Sequence, residues 1–413
     1  MIVKYSTPVT FQPNYLYWNV SSTESARAWE LVNHHGEIFL PDSKKYNLLP
    51  GIERANGYQS YPLSAFHQLH CLKMIRKHYA ALFNNVILND PVDTHIEHCF
   101  DYLRQSIMCA ADMTIEQARV DPDGHRRAVD GWETTHQCRD WGKVLEVVRP
   151  FGCNNCISEE NTAMDEEQHV PFLPPIDHPG RTSDNTKQNI RPDYLKIAMY
   201  GLLGLSTMLI IGGLRSKPTF EGCVKHLHEW SPMLEAFEYD ARPRIGMTSN
   251  FMYMGHPTSV LEQAWDSLWQ FGSFGFPEEQ LSLLHKSSIE HDWHRLPLAD
   301  GGGIQAYVEG FHYIHCLNLV RQFTYHNEYD YSDIHAFSNP HMDIMDHVEH
   351  CLEMLRVKIM CDADLSIYPV SRDTSDDRTI DAERQKQVCP KFERLVKWAD
   401  DHITVPFHKE TEG

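Results

Sequence analysis

Apolar runs separated by polar, Gly- and Pro-punctuated stretches divide the chain into helices and connections. Ser22 to Val32, with Ala and Trp gathered on one side, predicts a short helix. A polar stretch follows to Tyr61, and Leu63 to Phe83 predicts a long helix. After the turn signal Asn89-Asp90-Pro91, His95 to Ala111 predicts another, and Thr134 to Val148, around Cys138 and Trp141, a fourth. The order returns in the second half. Leu261 to Phe271 predicts a Trp-containing helix, and Pro277 to Gly303 an irregular region whose Gly301-Gly302-Gly303 run reads as a flexible loop. Long helices are predicted over Ala306 to Phe323 and Met342 to Ala363, and a closing helix over Ala382 to His402.

The return is a repeat in the residues themselves. His95 to Asp112 and His347 to Asp364 share 11 of 18 positions without a gap, where chance would give about one. The period is too long for a solenoid. The expected architecture is therefore mainly α: two homologous helical domains, each with two facing helices, and one transmembrane helix between them. The first domain is expected over 1–157 and a disordered linker, rich in Pro, Asp, Glu, Asn and Thr, over 158–193. The spanning helix is expected over 194–216, where Ile197 to Leu214 carry no charge between Lys196 and Arg215. A stalk and the second domain take 217–413.

Within the repeat, His-x-x-His-Cys occurs four times: His67-His70-Cys71, His95-His98-Cys99, His312-His315-Cys316 and His347-His350-Cys351. Residues at i, i+3 and i+4 project from one face of a helix. Two such helices facing each other bring four imidazoles together, twice in this chain. Neutral imidazole suits zinc, copper, iron and nickel, so ligand type alone does not choose the metal. No His-Glu-x-x-His arrangement places a general base beside the ligands, which weighs against a zinc hydrolase. Arg104 and Arg356 are candidates to hold a carboxylate of substrate or of Asp112 and Asp364, with a local salt bridge as the plainer role. Glu97 and Glu349 point away from the histidines on the helical wheel.

Cysteines follow the same plan. Cys71, Cys99, Cys109 and Cys138 in the first copy match Cys316, Cys351, Cys361 and Cys389 in the second. The matched spacing favours disulfides over buried thiols, with Cys71–Cys99, Cys109–Cys138, Cys316–Cys351 and Cys361–Cys389 as one of three connectivities per copy. Disulfides imply an oxidising lumen. The 37 basic and 57 acidic residues give a net charge of −20 without a basic stripe, which excludes nucleic acid as a partner.

The paired motifs, the H-x-E-H-C-x-x-x-L-R-x-x-I-M-C-x-A-D block and the late Cys before an aromatic helix resemble the UstYa-like oxidases of fungal secondary metabolism, over most of 60–145 and 305–400. The resemblance implies a single-pass membrane protein of the secretory pathway. It implies a copper-dependent oxidase, iron or zinc remaining open, that uses dioxygen on a peptide or small-metabolite substrate. Oxidative cyclisation, dehydrogenation, hydroxylation and halogenation are its reactions. It implies His67, His70, His95 and His98 as one ligand set and His312, His315, His347 and His350 as the other, and association with itself or related oxidases. The alternative is a non-catalytic metal-binding or scaffold partner. Two domains where one is usual, with the apolar segment between them, depart from the family pattern.

Overall fold

The computed structural model describes residues 7–31, 37–46, 52–53, 58–84, 86, 92–117, 130–148, 228, 230–243, 252–289, 293–338, 343–364, 370–371, 379–380 and 386–402. Of the segment between the copies it describes 200, 202–204, 206 and 208. The helices of eight or more residues are α1 (Thr23–Leu31), α2 (Ser64–Phe83), α3 (Val92–Ala110), α4 (Trp141–Val148), α5 (Ser259–Asp266), α6 (Glu309–Thr324), α7 (Ile344–Asp362) and α8 (Phe392–His402). The strands that bear on the site are β1 (Thr7–Thr10), β2 (Ile115–Gln117), β3 (Thr135–Cys138), β4 (Tyr239–Pro243), β5 (Phe274–Phe276), β6 (Ile304–Val308) and β7 (Lys386–Pro390).

The core is made by α2, α3, α6 and α7. Within each copy the two motif helices pack together as the repeat predicts, α2 on α3 and α6 on α7. Each pair also packs on the other, α7 on α2 and α3 on α6. The buried faces carry Leu69, Leu72 and Ile75, Leu103 and Ile107, Ile314 and Leu317, and Val348, Leu352 and Leu355. Apolar residues three and four apart form each stripe, and a helix pair alone leaves part of its stripe in water. The two copies therefore share one core, and residues 1–160 and 227–413 form one compact unit rather than two domains standing apart.

The exchange between copies is reciprocal. The Ala65 amide donates to the Asp364 carbonyl, and the Gly310 amide to that of Asp112, each at 2.7 Å. A Cβ on Gly310 would stand 2.5 Å from the Asp112 oxygen, so glycine permits this approach. Strand β2 of the first copy pairs antiparallel with β6 of the second, with Ile115 opposite Val308, and β5 flanks β6 on its other side. Two disulfides complete the exchange: Cys109–Cys389 and Cys138–Cys361. The expected connectivity within each copy is corrected here. Cys109 corresponds to Cys361, and Cys138 to Cys389, so the two crossed bonds are equivalent under exchange of the copies. Cys71, Cys99, Cys316 and Cys351 are buried thiols.

Three predicted helices begin later than expected: Ala306–Val308 belongs to β6, so α6 starts at Glu309. Thr135–Cys138 is a strand, β3, antiparallel to β1, with burial alternating along it as period two requires. In the second copy β7 pairs with β4, placing Cys389 opposite Asp240 and Pro390 opposite Tyr239. Proline in a helix interior removes a hydrogen bond and clashes with the preceding turn, so α8 starts after Pro390. The Gly301–Gly303 run is an ordered turn. Its three residues have positive φ, and a Cβ on Gly303 would meet the Phe276 carbonyl oxygen at 2.6 Å.

Residues 161–226 form a second unit. Its described side chains Tyr200, Leu202, Leu203 and Met208 are exposed. The expected spanning helix, 194–216, lies largely outside the described residues, and no described helix is long and apolar enough to cross a membrane.

Candidate metal centres

Each motif places two imidazoles one helical turn apart, and the facing helix supplies two more. In the first copy the ring centroids of His67 and His70 on α2 are 6.1 Å apart. His98 and His95 on α3 face them at 5.9 and 5.8 Å respectively. In the second copy His312 and His315 on α6 are 6.2 Å apart and His347 and His350 on α7 are 6.3 Å apart. The facing distances are 6.2 Å for His312–His350 and 5.7 Å for His315–His347. The pairing is the same in both: the first histidine of one motif faces the second of the other. All eight are half-buried. The structure thus brings together both predicted sets of four.

Burial favours the neutral form of four of these rings. It lowers His70, aided by His95 and Lys73. Burial, with neighbouring imidazoles, lowers His350 to about 3 and His347 to about 4, and holds His315 well below its ordinary value. A neutral imidazole keeps a lone pair for a metal. Nδ1 of His315 and Nδ1 of His347 are buried without a hydrogen-bond partner. Buried polar nitrogens in this state suit an ion as partner, so the residues present fit a metal. His312 differs: burial opposes its charge, but Glu116 and Cys316 outweigh burial and raise it well above the ordinary range. Its Nδ1 lies 3.0 Å from Oε2 of Glu116, which comes from β2 of the first copy.

The cysteines of the motifs sit beneath the rings as thiol pairs. Cys71 hydrogen-bonds Cys99 and draws its pKa down to about 6, against the effect of burial. Cys316 lies beside Cys351 and His312, and burial pushes it well above the ordinary thiol value. Donor atoms of His312, Cys316 and His350 lie within 4.8 Å of one another. The predicted pairs Cys71–Cys99 and Cys316–Cys351 are neighbours, therefore, but not bonded.

The supporting residues divide. Arg104 forks onto Asp101 and Arg356 onto Glu353, so both make the plainer local salt bridge. Asp112 is held by Lys358 at 2.8 Å and by Nδ1 of His136 at 3.0 Å. Burial would raise its pKa, but Lys358 and the hydrogen bond from His136 hold it well below the carboxylate range. Glu349 accepts the Val20 amide at 2.9 Å and so faces away from the rings. Sequence reasoning missed Glu116, His136 and Glu309, which are not repeated between the copies. It also missed Trp18 and Trp132 of the first copy, whose rings lie 5.8 and 5.7 Å from His350, and Trp269, 4.3 Å from His315.

The chain matches, over residues 2–147 and again over 184–402, the family described as mycotoxin biosynthesis protein UstYa. The UstYa family oxidase phomYc of Diaporthe leptostromiformis is 31% identical over 199 residues, which cover 47% of this chain and 77% of that protein. The family oxidase phomYb of the same fungus is 43% identical over 115 residues, 28% of this chain and 42% of its own length. Oxidase ustYa of Aspergillus flavus is 38% identical over 115 residues, 27% of this chain and 49% of its own. No solved structure matches. The class is that of oxidoreductases of fungal mycotoxin biosynthesis. The chain belongs to the UstYa family, and the two matched segments correspond to its two copies.

Proposed function

We propose that this oxidoreductase is copper-dependent and acts on a ribosomal or other biosynthetic peptide by oxidative cyclisation, dehydrogenation, hydroxylation or halogenation. The observation that carries the reading is the pair of four-imidazole clusters, each on two facing helices. His67, His70, His95 and His98 would hold one centre, and His312, His315, His347 and His350 the other. Bound copper would supply one-electron redox chemistry with dioxygen. The chain's own residues prepare the place. Burial keeps His315, His347 and His350 unprotonated. Glu116 orients His312 through Nδ1. Trp18, Trp132 and Trp269 wall the second cluster, where they limit water and offer flat surfaces to a substrate.

The reading also places the chain in the secretory pathway, membrane-associated through 194–216, because its disulfides form in an oxidising lumen. The test is metal content and dioxygen-dependent turnover of candidate peptides by the full chain, with His95→Ala/His98→Ala and His347→Ala/His350→Ala beside it. Copper in proportion to protein, reduced in each double variant together with turnover, supports the oxidase. Metal without turnover would instead mark a binding or scaffold partner of a related oxidase. Copper retained in both double variants would overturn the ligand assignment.

A further inference from the structure

The two clusters are not chemically alike. At the position of Ser64 in the first copy, three residues before the first motif histidine, the second copy has Glu309. Ser64 is satisfied: its hydroxyl lies 3.1 Å from that of Tyr102 and accepts from Nε2 of Gln68 at 3.2 Å. The second copy replaces Tyr102 with Met354 and Gln68 with Tyr313. Glu309 is 0% exposed, and neither of its carboxyl oxygens has a hydrogen-bond partner. Tyr313 stands beside it, and its hydroxyl is likewise buried outside hydrogen-bonding geometry.

The first copy adds two more donors to this spot. Glu116, 3% exposed, accepts the Gly131 amide with one oxygen and faces His312 with the other. His136, 1% exposed, is fixed through Nδ1 by Asp112. Its Nε2 has no hydrogen-bond partner and lies 3.9 Å from Oε1 of Glu309. Donor atoms of Glu116, Glu309 and His312 lie within 4.8 Å of one another. The positions equivalent to Glu116 and His136 in the other copy are Tyr368 and Gln387. Unpartnered buried polar atoms of Glu309 and His136, beside the Glu116 and His312 donors, are the kind that a cation between them would satisfy.

We propose that Glu116, Glu309, His136 and His312 form a second kind of cation site, present once per chain, that binds a divalent transition ion with mixed oxygen and nitrogen preference. Carboxylate with imidazole suits manganese, iron(II) or zinc better than the soft ions that thiolates select. The site is shared between the copies, since Glu116 and His136 come from the first and Glu309 and His312 from the second. His312 lies at the junction of this site and the imidazole cluster. The proposal does not depend on copper at that cluster.

The test uses the full chain, stripped of metal and titrated with Mn²⁺, with the loss of the free-ion electron paramagnetic resonance signal as readout. One bound Mn²⁺ per chain is expected, its affinity lowered about tenfold or more by Glu309→Ser and by Glu116→Gln. The first of these installs the residue that the other copy uses. Glu309→Gln preserves side-chain volume, and retained crossed disulfides and near-ultraviolet circular dichroism show that a variant has folded. The His95→Ala/His98→Ala variant should bind Mn²⁺ as the parent does. No bound Mn²⁺ in the folded parent, or binding as tight as the parent's by folded Glu309→Ser and Glu309→Gln, would overturn the proposal. Copper content, measured separately, scores the imidazole clusters independently.

Discussion

The guanidinium of Arg356 lies over the ring of Tyr17, 3.8 Å from its centroid, and so joins α7 of the second copy to the N-terminal segment of the first. Arg104 stands in the same relation to Tyr253, also at 3.8 Å. Each arginine is thus held on one side by an acidic residue of its own helix and on the other by an aromatic ring of the opposite copy. Glu353 is fully buried and also accepts the Asn14 amide, so the contact belongs to the core that supports the second cluster.

Arg356→Leu leaves the Glu353 carboxylate buried without its cation, and the expected cost is about 3–5 kcal/mol of stability. Arg356→Lys should recover only part of this. An ammonium neither forks onto the carboxylate nor lies flat on Tyr17 as a guanidinium does. Urea denaturation followed by circular dichroism measures both, and wild-type stability in Arg356→Leu would remove this contact from the account of the core.

The crossed disulfides give an assay that does not depend on activity. A protease site inserted within 158–193 should yield, after cleavage, one band on a non-reducing gel and two on a reducing gel. Disulfides confined to each copy would give two bands in both. The Cys109→Ser/Cys389→Ser variant should lose about 2–5 kcal/mol of stability, since with Cys138–Cys361 intact the bond still closes the loop formed by the arms 109–138 and 361–389.

Asp112 predicts an acid transition. Its folded-state pKa is depressed below the value of an unfolded chain, Lys358 and His136 prevailing over burial. The stability it contributes is therefore present above the ordinary carboxylate pKa of about 4. It is lost as pH falls through the lower folded value. Asp362, which burial raises, works in the opposite sense and offsets part of the slope. The difference between wild type and Asp112→Asn isolates the contribution: melting temperature against pH should fall less steeply below pH ~4 in the variant. The variant should also be less stable at neutral pH, because Lys358 loses one of its two anions. Parallel curves would show that Asp112 carries no such linkage.

The four long motif helices and the eight histidines were legible in the sequence because both copies carry them with the same spacing. The repeat could not show that the copies share a core. Matched cysteine spacings are equally consistent with bonds inside each copy and with crossed bonds, and only the packing of α3 beside β7 selects the latter. The short strands at Cys138 and Cys389 were hidden because each runs almost directly into a helix. Glu116, His136 and Glu309 were missed for a different reason. Attention to what repeats passes over positions where the copies differ, and the exchange of Ser64 for Glu309 was the available signal.

The crossed disulfides also constrain how the polypeptide meets a bilayer. Thiols that join must share a compartment, so the region around Cys109 and Cys138 and the region around Cys361 and Cys389 are on the same face of any membrane. The polypeptide between Cys138 and Cys361 can then cross an even number of times or none. A segment over 194–216 that dips into one leaflet, or lies along it, meets this parity. One that passes through once, with no second crossing before Cys361, would place a lipid barrier between partners that the fold has already joined.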